Sequence, residues 1–234
     1  MPAWLWEAYE WCEELVLKAD PPTILPHLRL SDGSTLPDHL PPQLWRQLSA
    51  LWPTVSPQGP LAPLKPWAAM IGIPGILLSL APGVETHLIE RTKAEPQTIH
   101  FLETSDDAAR LLDGVPSSVY ADYLALVVSN PDLVRDGIHA LHVAWLRRDL
   151  DGLLAVASET PLWGSPILHE AVIYARNRMW IPHIRSFAQS ERRTLVVVGA
   201  LHLCGKGNVA ELYQQQERHT FSLIDSPTPP NSRG

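Results

Sequence analysis

The 234 residues carry 25 acidic against 18 basic side chains, a formal charge of -7, with 45% hydrophobic and 18% charged residues. That balance suits a folded globular chain, and because Lys and Arg form no block it gives a nucleic-acid surface no electrostatic support. Cys12 and Cys204 are too few for a disulfide framework and lack paired metal-ligand spacing, so both read as reduced, buried thiols.

The opening stretch, MPAWLWEAYEWCEELVL, is interrupted by acidic residues and lacks the basic start and cleavage site of a signal peptide. That reading points to the cytoplasm, with export open if the N-terminus is incomplete. Apolar residues at Trp4, Ala8, Trp11 and Leu15 predict an amphipathic helix that runs into a short apolar piece at 15–17. Eleven of the 23 prolines fall from Pro21 to Pro66, and each removes a backbone donor. Residues 21–66 are therefore expected to form short helical turns and extended connections, a proline-rich cap over the rest. Residues 70–81 are the most apolar stretch. They fall short of the roughly 20 residues of a spanning helix and contain Gly72, Pro74 and Gly75, so they read as a core segment rather than a transmembrane one.

Residues 84–93 read as a helix and 97–104 as a strand that leads to a carboxylate, Glu103. Helical patterns follow over 106–114, stopping at Gly114, over 116–130 with a serine cap, and over 131–157. Pro166 opens a further helix to 189, which Pro182 should kink about one turn after Arg178. The run at 193–200, RTLVVVGA, has the apolar, β-branched character of a strand covered on both faces. A helix at 208–216 and a last strand at 219–225 complete a βαβ unit with a parallel pair. The expectation is an α/β fold: one domain over 1–225, a central sheet flanked by helices, and a disordered tail at 226–234.

The stretch VVVGALHLCGKGN, residues 196–208, holds the most pointed chemistry. Gly199 would turn the chain off a strand end, where His202 could bind a metal or move protons, or could be an ordinary loop histidine. Gly205 and Gly207 could let a ligand approach the following helix. Glu103 could meet His202 if their strands are neighbours, or serve only as a capping or surface group. Arg176 and Trp180 share a helix face beside Asn177. The guanidinium could hold a substrate carboxylate, orient Glu103, or simply tie helix to sheet. Nine tryptophans suit a buried core, and equally contact with an apolar ligand or a partner.

HFLET, AWLRRDLDGL, ARNRMWIPHI and VVVGALHLCGKGNVAELYQQQ, in this order, resemble the TraB/GumN family, related to the Tiki proteins and more distantly to the ChaN and erythromycin-esterase-like group. The resemblance runs from about residue 4 to 225. It implies a parallel-containing sheet and a site built from two G-x-x-H motifs, with Tiki-related members regarded as metal-dependent peptidases using manganese or cobalt. His202 matches the late motif, Glu103 the mid-chain glutamate, and Arg176 with Asn177 the helix motif. The early G-x-x-H belongs ahead of the first helix, at which this chain starts, and no second G-x-x-H occurs. Lys18 stands where the family has a glutamate, and a cation there repels a metal ion.

Two readings follow. In the first, the chain is a metal-dependent hydrolase acting on peptide or amide bonds. His202 and Glu103 would be metal ligands or acid-base groups for manganese, cobalt or zinc, and Arg176 would hold the substrate or oxyanion. In the second, it is a non-catalytic binding or regulatory module that keeps the pocket without the metal. A small-molecule or peptide substrate and a homo-oligomer are compatible with either.

Overall fold

Helix α1 (Ala3–Trp11) ends at an extended Cys12, and the chain enters strand β1 (Glu14–Leu17). The computed structural model of the protein describes residues 2–53, 59–78, 83–95 and 97–215, the side chains of residues 21, 22 and 78 excepted. β1 is buried along its whole length, Glu14 included, and its apolar run at 15–17 is covered on both faces as in a parallel sheet. The short piece at 15–17 is thus no helix extension. It is the central strand, hydrogen-bonded on one side to β2 (Thr98–Phe101) and on the other to β3 (Thr194–Val197), both parallel. Leu17 lies level with Phe101 and Val197, so all three carboxyl ends open on one edge.

Alternation along the strands sorts their side chains into two layers. Val16 and Val196 pack with Trp180 and Ile181 of one helix and with Val209 of another. Leu15, Leu17, Ile99, Leu195 and Val197 pack on the opposite face with Tyr9 of α1 and with Leu88, which belongs to α4 (Val84–Ala94). The result is an α/β arrangement, mostly helical by residue, around a small parallel sheet.

The proline-rich region holds short helical turns, as expected, at Pro21–Leu28 and Leu36–His39. It also holds a ten-residue helix, α2 (Pro42–Leu51), because proline at the first helical position costs no hydrogen bond. Leu36, Leu44, Leu48 and Leu64 join Trp67 and Ile73 of α3 (Pro66–Leu78) in the largest apolar cluster. Leu112 of the helix after β2 and Tyr120, Leu124 and Val127 of the helix after that belong to the same cluster, so this region packs onto later helices through a shared core, to which the apolar stretch from residue 70 contributes Met70 and Ile73.

α5 (Ser105–Asp113) starts with a reciprocal Thr104–Asp107 capping box and stops at Gly114. α6 (Ser117–Ser129) starts after Pro116 with no side-chain cap, so the expected serine cap is not used. The pattern at 131–157 is two helices, α7 (Pro131–Leu146) and α8 (Leu150–Ser158). Between them Arg148 has φ 59 and Asp149 caps α8 through Gly152 N–H, 2.8 Å. After α9 (Pro161–Gly164) and α10 (Pro166–His169) comes a wide π-turn, Glu170–Tyr174, and then α11 (Ala175–Ala188). The helix continues through Pro182, and a π-turn lies ahead of the Arg-Asn pair.

β3 is half-buried rather than covered, and its outer edge has no partner strand among the described residues. A final helical segment, α12, spans 209–215. The strand expected at 219–225 and the tail at 226–234 lie outside the described residues. Among the described residues no single helix is long and apolar enough to cross a membrane. Cys12 and Cys204 are both free and buried.

Candidate functional site

The parallel sheet presents its carboxyl edge as the place where backbone groups are free and loops converge. Lys18 follows β1 there, and its carbonyl accepts from Glu103 N–H at 3.0 Å, which extends the ladder beyond β2. Glu103 therefore stands beside the central strand, and its side chain is fully buried. Arg176 reaches it from α11 with both arms: Nε donates to Oε2 at 3.0 Å, and Nη2 donates to Oε1. Trp180 Nε1, one helical turn on, donates to Oε2 at 3.0 Å, while the guanidinium lies 5.0 Å from the Trp180 ring centroid. A carboxylate taken this far from water survives only with such complete pairing.

His202 sits on the other flank of the same tryptophan, with ring centroids 4.5 Å apart. Its Nδ1 lies 2.6 Å from Asn177 Oδ1. Asn177 Nδ2 donates to Gly207 O at 3.0 Å, which makes Oδ1 the acceptor and places the proton on His202 Nδ1. Nε2 then carries the lone pair and meets no hydrogen-bond partner among the described residues. Burial, followed by the charges of Arg176, Lys18 and His169, pulls the His202 pKa down to about 3. The imidazole is neutral at pH 7.

Glu103 and His202 are brought together through Trp180. The strands that precede them are separated by β1, so the expected side-by-side pair does not form through neighbouring strands. Arg176 ties α11 to the sheet and orients Glu103. The part of Asn177, which the residues themselves left blank, is to set the histidine tautomer. Lys18 pairs with Glu85 Oε1 of α4 at 2.8 Å. Burial pushes the Glu85 carboxyl up, but the Lys18 charge and hydrogen bond outweigh it and hold the group below its usual range.

The glycines divide unexpectedly. Gly199 has φ -58, open to any residue, and a side-chain carbon there would touch His202 Cδ2 at 3.5 Å. Gly207 has φ 74, and a Cβ would come 2.9 Å from Tyr174 Cε1. Its N–H donates to Glu211 Oε2 at 2.6 Å, while Asn208 Oδ1 accepts from Glu211 N–H at 2.9 Å. The turn's groups at the start of α12 are thus used internally, and the glycine lets backbone reach Tyr174 rather than a ligand reach the helix.

His169 was not singled out in the sequence. It is buried at the start of the π-turn between the rings of Trp163, 4.1 Å, and Tyr174, 4.3 Å. Its Nε2 has no hydrogen-bond partner among the described residues, and burial lowers its pKa. No spacing in the chain marks it, because its neighbours come from α9 and the π-turn itself.

A cleft of about 460 Å³ opens at the ends of β1 and β2, walled by Asp20, His27, Glu103, Asp106 and His183. His27 Nε2 stands 3.5 Å from Asp106 Oδ1. A divalent ion of the expected kind needs three or more converging donors. Among the described residues no group of three His, Cys, Asp or Glu side chains converges in that way. Both Glu103 oxygens are already taken, and Lys18 and Arg176 add positive charge, so the residues present do not fit a resident divalent metal.

The sequence model of the TraB/PrgY/gumN family matches residues 6–219. No curated protein and no solved structure matches the chain.

Proposed function

The chain belongs to the TraB/PrgY/gumN family, and from that premise we propose that it is a binding or regulatory module that keeps the strand-end pocket without the metal chemistry. The observation that carries this reading is the saturation of Glu103. Its fully buried carboxylate is held by Arg176 and Trp180, which leaves the His202 Nε2 lone pair as the open donor of the two expected ligands. A lone imidazole is too little for a metal centre. The cleft at the ends of β1 and β2 is the place for a small-molecule or peptide ligand, since it gathers strand ends and convergent polar groups.

A second reading, the metal-dependent hydrolase of peptide or amide bonds, is favoured by one feature. An imidazole pinned at Nδ1 by an amide oxygen, with Nε2 free, is oriented as metal-binding histidines are by the group that accepts their other N–H. That reading requires Arg176 to release Glu103 and further donors to join manganese, cobalt or zinc.

Elemental analysis of the purified protein, followed by calorimetric titration with each of those ions, separates the two when His202→Ala is measured alongside. Neither protein is expected to hold or take up stoichiometric metal. Stoichiometric metal that disappears in His202→Ala, with metal-dependent peptide hydrolysis, would overturn the binding-module reading in favour of the second.

A further inference from the structure

We propose that the apolar cavity beside β3 is a binding site for a small amphipathic anion, an aliphatic carboxylate, whose head group is received by Arg148. This goes beyond the reading of the strand-end site and does not depend on it.

The cavity holds about 620 Å³ and is walled by Trp4, Leu5, Trp145, Leu153, Leu195 and Val197, a size and character typical of small-molecule pockets. Arg148 and Glu85 are its charged residues, and they differ in availability. Glu85 is neutralised by Lys18 at 2.8 Å, so it offers an incoming anion little repulsion. Arg148 pairs with no carboxylate among the described residues, and its neighbour Asp149 is occupied as the α8 cap.

The backbone gives an independent reason to look at Arg148. It is the one non-glycine residue with positive φ among the described residues, at 59°. It follows the C-terminus of α7, a position where glycine is favoured because a side chain in the left-handed region is strained. Strain of this kind collects where a side chain has a task. Here it holds the guanidinium 5.9 Å from the Trp4 ring centroid at the cavity wall. Trp4 Nε1, in the same wall, is buried with no acceptor among the described residues. A cation, a spare donor and apolar walls together fit a carboxylate with a hydrocarbon tail, where the tail buries apolar surface and the head group gains a charge-assisted hydrogen bond.

The test is calorimetric titration of the full chain with decanoate and with its uncharged counterpart 1-decanol, on the wild type, Arg148→Gly and Arg148→Asn. Both replacements accept the left-handed backbone, so the fold and thermal midpoint are expected to hold. Decanoate is expected to bind the wild type saturably and both variants roughly tenfold more weakly, with 1-decanol indifferent to the substitution. Absence of saturable decanoate binding to the wild type, equal binding to the variants, or equal affinity for 1-decanol would each overturn the proposal.

Discussion

At the scale of single residues, the turn after His202 distinguishes two glycines that look alike in the sequence. Gly207→Ala is expected to destabilise the protein by about 2 kcal/mol or more, because it combines a left-handed backbone with a contact on the Tyr174 ring. Gly199→Ala meets only an ordinary 3.5 Å contact and should cost well under about 1 kcal/mol. Urea midpoints of the two variants check this, and equal losses would contradict the assignment. Gly207 also matters beyond its own geometry, since its carbonyl holds Asn177 and Asn177 sets the His202 tautomer. The sequence pointed to His202, Glu103, Arg176 and Asn177. It held no sign that Asn177, rather than Glu103, is the partner of His202, because that contact is made by a turn folding back on α11.

At the scale of elements, the Arg176–Glu103 pair is the clasp between α11 and the sheet edge. Removing one partner of a buried ion pair leaves the other charge uncompensated, so Arg176→Met should cost about 3–5 kcal/mol. The double variant Arg176→Met/Glu103→Gln should recover part of that loss, because the buried charge is gone. Denaturation of the wild type, Arg176→Met, Glu103→Gln and the double variant gives the coupling energy, and additive losses would show that the two groups act separately. Helix boundaries were legible where caps and stops are local, as at Gly114. They were misread where tertiary contacts decide. The pattern at 131–157 looked like one helix, yet it breaks at Arg148 so that α8 can turn back and Leu153 can pack with Ala144 and Cys204. The piece at 15–17 carried no strand signal of its own beyond three apolar residues, and only two flanking strands make it the centre of the sheet.

At the scale of the whole molecule, two buried imidazoles link stability to pH. His202 and His169 both have folded pKa values below the 6.5 of the unfolded chain, His202 at about 3. On acidification the unfolded chain therefore binds protons first. Their contribution is fully present above pH 6.5 and is lost as pH falls below it, for His202 at about 1.4 kcal/mol per unit down to about pH 3. His202→Gln should remove that share of the slope and leave the share from His169, as read from denaturation at a series of pH values. An unchanged slope would mean that His202 is not buried neutral. The sequence by itself determined the α/β class, the family, and the residue types gathered at the strand ends, because periodicity, caps and short motifs are local properties of the chain. Only the tertiary structure decided the strand order, the core that the proline-rich region shares with α5 and α6, and the use of both Glu103 oxygens by α11. Those depend on which distant surfaces bury each other, and burial decides whether a carboxylate is an open ligand or a paired one.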